Sequence, residues 1–438
     1  MAEPLERRLM FTGSLIGGAG SVNEGSTYTL HLNTIAQSGA SWNINWGDGT
    51  SGQTVPGTAA SATHIYTTPR TATITATVSG LANPLDPTFG SSGIDQSNLG
   101  TSGEQAQDII LQPDGKILVA GGPGFLVARY NADGSLDTSF GSGGKVSISG
   151  IDSAYSIALQ SNGQIIVAGG AGFNVARLNS NGSLDTTFGN NGLVQSNLGS
   201  NWEAYDMAIA STGKIWLVGA TSSNIEVVRY NSNGSLDSSF SGNGHTSFSI
   251  AGNTSQALAC FLQSDGKLLI VGDTTNVSDT QIFAMRLTTS GSLDSTFGTN
   301  GMVITNPTSG KEDVASDVAV QSDGKIVVTG RAGTGSAANL LLLRYTSAGV
   351  LDSGFGTAGM TKVDYDGERD LGKAVKILAN GQILVAGRVT LNGDQGIGLV
   401  RFNSNGSIDT TFGNNGKLYT NLTSGSDYAN ALAIDANG

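Results

Sequence analysis

The chain has few of the residues on which disulfide-bonded, metal-binding and membrane proteins depend. Its 438 residues include one cysteine, Cys260, and three widely separated histidines, His31, His64 and His245. A single cysteine excludes an internal disulfide and a multi-cysteine zinc site. No run of residues approaches the roughly 18 apolar positions that a membrane-spanning helix needs. We therefore expect no membrane span in this segment.

Charged residues are also scarce. They make up 13% of the chain, and 34 acidic against 22 basic residues leave a net charge of −12. Nucleic-acid phosphates would repel such a protein, so we expect no nucleic-acid partner. The apolar content of 38% is sufficient for a core, which argues against global disorder. Low charge together with 64 glycines is typical of an exported bacterial β-protein.

The motifs of common enzymes are missing. The sequence has no HExxH metal motif, no GxSxG nucleophile turn and no phosphate loop ending in GK[ST]. Cys260 lies in the apolar run ALACFL, where it fits a buried small hydrophobic residue better than a nucleophile. We therefore predict no enzymatic activity, no cofactor, and no catalytic, cofactor-binding or metal-binding residue. Ligand-binding residues are left unassigned.

An internal repeat dominates the chain. The hexapeptide LDxxFG, with small variations, alternates with DGKILVAG-type and VARY-type segments. Its aspartates lie 48 to 58 residues apart and are Asp86, Asp137, Asp185, Asp237, Asp294, Asp352 and Asp409. Seven starts are visible but only six complete units, because the seventh stops at 436–438. We interpret the sequence as a truncated piece of a longer protein.

Each repeat has the pattern of four short β-strands. In the unit 137–185 these runs are Lys145-Ser149, Tyr155-Gln160, Gln164-Gly169 and Phe173-Leu178. The Asn-Gly between the second and third runs, replaced by Asp-Gly in other units, predicts a two-residue hairpin. No segment carries a convincing helical period of 3.6 residues. The sequence is therefore predicted to be all-β.

A four-stranded unit of about 50 residues fits one blade of a β-propeller. A parallel β-helix turns over in far fewer residues, and an immunoglobulin-like domain needs about 100. Each small sheet can bury its faces only against its neighbours, which favours a ring. We predict that residues 81–438 form a β-propeller of about seven four-stranded blades, incomplete at the C-terminus, with six or eight blades as alternatives.

Six strand arginines stand eight residues before a motif aspartate. The pairs are Arg129–Asp137, Arg177–Asp185, Arg229–Asp237, Arg286–Asp294, Arg344–Asp352 and Arg401–Asp409. The constant offset across a turn predicts a bidentate guanidinium–carboxylate pair inside each blade. A ring of charges that binds a ligand is the alternative.

Length variation concentrates in one hairpin of the repeat. The distance from the strand glycine to the motif aspartate grows from 16 to 22 residues, through insertions such as 273–281, 332–339 and 389–396. Loops of this kind cluster on one side of a repeat array, which is often the binding side. Neutral drift in solvated loops is an equally good explanation.

Residues 15–80 lack the repeat and carry motifs of their own, which are Glu24-Gly25-Ser26, the WGDGT run at 46–50 and His64-Ile65-Tyr66. Through these motifs the segment resembles a polycystic-kidney-disease-type (PKD-like) domain, a small immunoglobulin-like β-sandwich. The closing strand at 69–74 departs from the usual GxYxVxL pattern. The resemblance implies a structural role for His64 and a spacer or adhesive module without catalysis.

The repeats resemble the bacterial delta-60 repeat through LDTTFG, DGKILVAG and VARYN. That family occurs in large exported bacterial proteins and, as a class, has no established catalytic role. Residues 4–10 weakly resemble the LEPR-type segment at the start of giant exported planctomycete proteins. Residues 1–14 are therefore interpreted as an export segment or a disordered tail.

Two alternative sites remain open. The turn Asn179-Ser180-Asn181-Gly182-Ser183-Leu184-Asp185 has oxygen donors spaced as in calcium loops, but a side-chain-capped turn explains it as well. A glycan-active propeller would need paired carboxylates. The candidate acids are Glu203, Asp206, Asp364, Asp366 and Asp370.

These observations favour an exported bacterial surface or matrix protein that acts as a non-catalytic binding or adhesion scaffold. An extracellular polysaccharide or a surface protein is the expected partner, and the expected location is extracellular or at the cell surface. The alternatives are a glycan-active lyase or hydrolase, or the accessory region of a larger enzyme whose catalytic domain lies beyond residue 438.

Overall fold

The structure is a computed structural model and contains two compact units. Residues 86–434 form one unit, and residues 1–85 belong to the other. The described residues are 16–18, 26–32, 41–56, 59–67, 74–79, 85–97, 99–100, 104–148, 151–196, 198–199, 202–365, 367–391, 393–423 and 425–435. The predicted export segment at 1–14 and the motif residues Glu24-Gly25 lie outside them. Among the described residues, no helix is long and apolar enough to cross a membrane.

The N-terminal unit contains two three-stranded antiparallel sheets. Its strands are β1 (Ile16–Gly18), β2 (Thr27–Leu32), β3 (Ser41–Asn45), β4 (Gln53–Pro56), β5 (Ser61–Ile65) and β6 (Thr75–Ser79). The sheet orders are β1-β2-β5 and β4-β3-β6. Alternate residues of β2 face inward, as the two-residue period of a strand requires. Residues from both sheets share one core, which contains Tyr28, Leu30, Leu32, Trp42, Ile44, Trp46, Ala62 and Ile74.

The WGDGT run forms a turn that is closed by side-chain hydrogen bonds. Thr50 donates to the Asp48 carboxylate through both its N–H and its hydroxyl. His64 Nε2 lies 2.6 Å from the other carboxylate oxygen, and the His64 ring stacks on Trp46 at 4.9 Å. These contacts agree with the structural role predicted for His64.

The described part of the repeat region folds into six four-stranded antiparallel sheets, which we number blades 1 to 6. Blades 1 to 3 comprise β7 (Gln105–Leu111), β8 (Ile117–Gly122), β9 (Phe125–Tyr130), β10 (Lys145–Ile148); β11 (Ala154–Leu159), β12 (Ile165–Gly169), β13 (Asn174–Leu178), β14 (Leu193–Val194); and β15 (Glu203–Ile209), β16 (Ile215–Ala220), β17 (Ile225–Tyr230), β18 (His245–Phe248). Blades 4 to 6 comprise β19 (Thr254–Leu262), β20 (Leu268–Thr275), β21 (Thr280–Leu287), β22 (Met302–Thr305); β23 (Val314–Val320), β24 (Ile326–Ala332), β25 (Asn339–Tyr345), β26 (Met360–Val363); and β27 (Leu371–Ile377), β28 (Ile383–Leu391), β29 (Asp394–Phe402), β30 (Lys417–Thr420). The all-β prediction is confirmed, and six blades are described where about seven were predicted.

The boundaries of a blade differ from the predicted ones in one respect. The sequence pattern places the run Lys145-Ser149 in the same unit as the three runs that follow it. Instead, β10 pairs with β9, which precedes it, and so completes blade 1. The reason is that LDxxFG turns the chain back onto its own sheet, whereas the connection after β10 leads to the next blade.

Within the described residues, five hydrophobic cores join each of the six sheets to the next one along the chain. The core between blades 1 and 2, for example, joins Leu118 and Val127 to Ile157 and Val167. Equivalent cores lie at the following four interfaces. Full burial of one such side chain stabilises the fold by about 1.5–3 kcal/mol. The blades therefore depend on one another, as the repeat analysis predicted.

The six predicted arginine–aspartate pairs are confirmed. Each arginine Nε lies 2.6–2.9 Å from Oδ2 of the aspartate eight residues later. The bidentate geometry is wrong, because in the first five blades Nη1 instead donates to a backbone carbonyl of the following repeat. Each guanidinium also lies 4.3–4.9 Å from the centroid of the phenylalanine in its own motif. One arginine thus fixes its own turn and the neighbouring blade.

The lysine or glutamine of the DGK/NGQ segment completes this network. Lys116, Lys214, Lys267 and Lys325 approach the motif aspartate of their blade, whereas Gln164 and Gln382 donate an amide hydrogen bond there. The hydrogen bond from Lys116 holds the pKa of the Asp137 carboxyl well below its usual range. The repeated arginines, lysines and aspartates therefore serve the scaffold, in line with the structural interpretation.

The insertions lengthen strands more than loops. In blade 4 the inserted segment 273–281 ends β20 and begins β21, so that both strands have eight residues. In blade 6, β28 and β29 have nine residues each. Blade 5 adds a 3₁₀ turn at Gly335–Ala337. These hairpins extend to the end of the sheet opposite the LDxxFG motifs.

Candidate functional site

Every innermost strand carries one β-bulge at the same place. The register of β7 on β8 skips Gln107, and the register of β15 on β16 skips Tyr205. We call the six extra residues the bulge rim; they are Gln107, Tyr155, Tyr205, Leu258, Ser316 and Lys373. Bulges re-aim side chains and are common beside functional sites. Unlike the repeated motifs, the rim residues are not conserved among the blades, and the six positions carry five residue types.

Two parts of the bulge rim have distinct chemistry. Tyr155 and Tyr205 of neighbouring blades meet edge to face at 5.9 Å, and the Tyr205 hydroxyl donates to the Glu203 carboxylate at 2.7 Å. Burial and then the charge of Glu203 raise the pKa of Tyr155. Lys373 is the rim residue of blade 6. The rim therefore has an aromatic and acidic part and a basic part.

A cavity of about 320 Å³ opens beside the basic part. Its walls are Gln105, Gln107, Leu371, Lys373, Arg388, Tyr428 and Asn430. The segment 428–434 supports it, because Asn430 Nδ2 donates to the Ala106 carbonyl of blade 1 at 2.7 Å. On its other side the Ala429 N–H faces the Gly387 carbonyl of blade 6 at 3.4 Å. Blades 1 and 6 thus contribute to one cavity.

Four cations gather at this end of blades 5 and 6. Burial, and then the charges of Arg388, Arg331 and Arg369, lower the pKa of Lys373. Burial and the charge of Arg369 likewise lower the pKa of Arg388. We call these four residues the basic cluster. The chain has a net charge of −12, whereas this cluster is a local concentration of positive charge.

Three aspartates on the inner strands connect alternate pairs of blades. The carboxylates of Asp108, Asp206 and Asp317 accept the N–H groups of Ile157, Cys260 and Val375 in the following blades, at 2.8–2.9 Å. Each also accepts the N–H of the next residue in its own strand. Blades 2, 4 and 6 have Ser156, Ala259 and Ala374 at the equivalent position. Ser156 bonds to both Asp108 and Asp206.

The surroundings of these aspartates disfavour their charged form. Burial raises the pKa of Asp206 to about 7, and the charges of Asp108 and Asp317 contribute to the rise. The pKa of Asp317 is raised to about 6, again chiefly by burial. Among the described residues, no group of three His, Cys, Asp or Glu is arranged to hold a metal ion. The observed contacts of the three aspartates are hydrogen bonds within and between blades.

The acids that were considered for glycan chemistry lie at two places, in β15 and in the connection to blade 6, where the charge of Asp364 contributes to the raised pKa of Asp370. Glu203 lies at the start of β15, whereas Asp206 bonds to the inner strand of the next blade. Asp370, in the connection to blade 6, accepts the N–H groups of Tyr365 and Thr390, and burial raises its pKa to about 6. Asp364 lies in the same connection and accepts the Gly367 N–H. Asp366 lies outside the described residues.

The remaining candidates have structural contacts. In the turn considered for calcium, Asn179 donates to Ser183, and Ser183 donates to Asn181 through its N–H and hydroxyl. This is the side-chain-capped turn that was the alternative. Cys260 is buried, as its apolar context indicated. His245 Nε2 lies 2.6 Å from the buried Glu226.

The sequence analysis missed both the inner-strand aspartates and the basic cluster. Aligning the repeats at QDIIL, YDMAI and SDVAV would have revealed an aspartate in every second blade. The basic cluster has no such signal. Its members occupy different repeat positions, and only the packing of blades 5 and 6 brings them together.

Six segments of the chain match a family model described as "Domain of unknown function (DUF5122) beta-propeller". They are residues 112–140, 160–188, 210–240, 263–297, 321–355 and 378–412. Each runs from the hairpin after the innermost strand to the LDxxFG motif. The repeat region is a β-propeller. No curated protein matches the chain.

Several solved structures resemble the propeller at low identity. A protein from Lactobacillus plantarum is 12% identical with a TM-score of 0.42, covering 84% of this chain and 94% of its own. Regucalcin, a calcium-binding protein from Agrobacterium tumefaciens, is 11% identical with a TM-score of 0.36, covering 66% and 83%. PorZ, a surface component of the type-IX secretion system of Porphyromonas gingivalis, is 15% identical with a TM-score of 0.37, covering 73% and 43%. We infer neither a ligand nor an activity from these likenesses.

Proposed function

We propose that this chain is an exported bacterial surface or matrix protein whose propeller binds extracellular polysaccharide without catalysis. A surface protein is the alternative partner. The main support is the contrast between the two ends of the blades. The end with the LDxxFG motifs repeats the same ion pairs in every blade, and the cavity of about 640 Å³ there is lined by residues of the repeated network such as Gln164 and Arg177. The residues of the bulge rim vary, and they adjoin a cavity of about 320 Å³. Variable side chains on a rigid scaffold are typical of binding sites.

The N-terminal unit fits this function as a spacer or adhesive module. Two small sheets around one core and the closed WGDGT turn support its assignment as a PKD-like, immunoglobulin-like sandwich. The LDxxFG and DGK segments support the delta-60 assignment of the repeats. Both families are associated with exported bacterial proteins, which is the basis for the proposed location.

We further infer a seventh blade. Residues 94–97 follow an LDxxFG motif as outermost strands do elsewhere, and the Gly93 N–H donates to the Phe89 carbonyl as the Gly144 N–H does to that of Phe140. Segment 428–434 lies between blades 6 and 1, at the place of an innermost strand. If both belong to one blade, the amides of 428–434 should be protected from hydrogen exchange.

Binding to a glycan array tests the proposed function. The purified chain should bind at least one class of bacterial polysaccharide saturably. The double variant Tyr155→Ala/Tyr205→Ala, which removes the aromatic part of the rim, should weaken that binding. Lys325→Gln is the matched control, because it lies among the LDxxFG motifs, where Gln164 and Gln382 occur naturally. Absence of binding to every polysaccharide would count against the proposal.

A glycan-active enzyme is the second candidate, favoured by one observation. Burial raises the pKa of Asp273 in β20 to about 6, and the charge of Glu312 contributes to the rise. A carboxyl group with a raised pKa beside another acid is typical of a general acid. Release of reducing ends from a bound polysaccharide, abolished by Asp273→Asn, would establish an enzyme and overturn the non-catalytic proposal.

A further inference from the structure

The arginines of the repeat region fall into two groups. Residues 86–434 contain nine arginines, and six of them form the repeated pairs with aspartate. The other three, Arg331, Arg369 and Arg388, all belong to the basic cluster around Lys373. Arg331 lies near the end of β24, Arg388 lies in β28 opposite Leu371, and Arg369 lies in the connection that leads to blade 6. The repeat region therefore places its three non-repeated arginines at one site.

The two groups differ in how their charges are satisfied. A repeated arginine such as Arg229 has a carboxylate, a carbonyl, a hydroxyl and an aromatic ring as partners. In the basic cluster, the contact of Arg331 with Glu312 at 2.8 Å is the one ion pair within the described residues. The Nε atoms of Arg331, Arg369 and Arg388 are buried without a hydrogen-bond partner there. Unsatisfied buried donors of this kind are rare and costly.

Mutual repulsion makes the cluster more costly still. Like charges in a partly buried site repel one another strongly because little water screens them. A scaffold gains nothing from three guanidinium groups with unsatisfied donors beside an ammonium group. An anion that enters the adjoining cavity, which Lys373 and Arg388 line, would reduce this repulsion.

The cavity beside the cluster has the lining of a saccharide site. Lys373 and Arg388 form its charged wall, while Gln105, Gln107 and Asn430 supply amide groups that can both donate to and accept from hydroxyls. Leu371 and Tyr428 add apolar surface. Its volume of about 320 Å³ is at the small end of ligand sites and suits one sugar residue. Arg331 and Arg369 do not line the cavity. Their charges act on Lys373 and thereby add to the positive potential of the cavity wall.

We propose that this cavity binds an oxyanion-bearing sugar residue of an acidic polysaccharide, with its carboxylate or sulfate on Arg388 and Lys373 and its hydroxyls on Gln105, Gln107 and Asn430. Arginine suits this role because its planar fork matches the oxygens of both groups. The inference deepens the proposed function and rests on it. It states which class of polysaccharide the rim accepts.

Calorimetric titration of the full chain with four probes tests the assignment. Trigalacturonate carries carboxylates, its methyl ester is a neutral analogue of nearly the same shape, and monosulfated galactobiose carries one sulfate. Inorganic sulfate is the fourth probe. We expect trigalacturonate or the sulfated sugar to bind. The Kd of the charged sugar that binds should be at least about tenfold lower than the Kd of the neutral methyl ester. The trigalacturonate and galactobiose titrations show which oxyanion the site prefers.

Variants distinguish binding in the cavity from a non-specific attraction of anions to positive charge. Arg388→Gln and Lys373→Gln should each weaken anion binding by about tenfold or more, and Arg388→Lys, which keeps charge but loses the fork, by less. Lys311→Gln removes an exposed lysine outside the cavity and should bind as the unaltered chain does. Removing one like charge should leave the melting temperature unchanged or raise it, so lost binding would not reflect misfolding.

Three outcomes would overturn the inference. They are equal binding of the ester and the acid, unchanged anion binding in Arg388→Gln, and inorganic sulfate binding as tightly as either charged sugar. Neutral polysaccharide that binds on the array and is insensitive to Arg388→Gln would overturn this inference while leaving the proposed function standing. Absence of all saccharide binding would remove both.

Discussion

The Asp206 carboxylate accepts a hydrogen bond from the backbone N–H of Cys260 at 2.8 Å, across 54 residues of sequence. This contact joins the innermost strand of blade 3 to that of blade 4. Asp108 and Asp317 repeat it two blades earlier and two blades later. The propeller thus combines apolar cores between blades with hydrogen bonds to buried carboxyl groups on the innermost strands. The titration of these carboxyl groups makes the stability of the propeller depend on pH.

The free energy of unfolding should be larger at pH 5 than at pH 8. The raised pKa values of Asp206 (about 7) and Asp317 (about 6) mean that the folded chain holds more protons than the unfolded chain between about pH 4 and 7. By linkage, the free energy of unfolding falls as pH rises through this range. Below about pH 4 the trend should reverse, since motif aspartates such as Asp137, whose pKa is lowered in the folded chain, bind protons more readily in the unfolded chain. Denaturant titrations across pH measure both limbs.

Asp206→Asn should flatten the pH dependence between pH 5 and 8. The amide cannot titrate, so the slope of unfolding free energy against pH should decrease. The substitution should also lower the free energy of unfolding by about 1–3 kcal/mol at pH 5, because the NH₂ group of the asparagine cannot accept the hydrogen bond from the Cys260 N–H. Asp265→Asn, in an exposed turn, is the control. An unchanged slope in Asp206→Asn would show that other groups cause the pH dependence.

Ser156→Asp should destabilise the protein more at pH 8 than at pH 5. Ser156 lies between Asp108 and Asp206 and bonds to both. A carboxylate at this position would add like charge to two groups that already resist ionisation. Ser156→Asn, of similar size without the charge, is the matched variant, and thermal melts at the two pH values give the comparison. Equal losses for both variants would indicate a steric cause.

Arg229→Gln should lower the free energy of unfolding much more than Lys214→Gln does, although both substitutions remove a cation that contacts Asp237. The arginine is buried, and its loss breaks a buried ion pair at a cost of about 3–5 kcal/mol. The lysine is partly exposed, and Gln164 and Gln382 occupy its place in blades 2 and 6, so its replacement should cost no more than about 1 kcal/mol. Chemical unfolding measures both. Similar costs would contradict the division of roles within the network.

Ser241→Gly should stabilise the protein by about 0.5–1 kcal/mol. Ser241 replaces the glycine of LDxxFG in blade 3 and has a φ of 48°, where a side chain is strained. The reciprocal change Gly298→Ser should destabilise strongly, because a Cβ at Gly298 would lie 2.3 Å from the Met302 carbonyl oxygen. Melting temperatures of the two variants should therefore move in opposite directions. Stabilisation by Gly298→Ser would contradict this account.

Local sequence patterns determined the elements of this protein. The alternation of LDxxFG, DGK and VARY predicted the all-β repeats, the hairpins and the arginine–aspartate pairs, because each depends on residues close together in the chain. The blade boundary was misplaced at Lys145 because strand pairing across the LDxxFG turn leaves no local signal. The bidentate geometry was wrong because the second guanidinium nitrogen bonds to a neighbouring blade.

Only the tertiary structure decided where the chemistry lies. Asp108, Asp206 and Asp317 are about two repeats apart in sequence, and Gln107 and Lys373 are separated by most of the propeller. Stacking of the blades around a common axis brings the aspartates together, and segment 428–434 brings blades 1 and 6 to one cavity. Repetition fixes the scaffold through short-range contacts. The differences between repeats acquire a function only where packing gathers them.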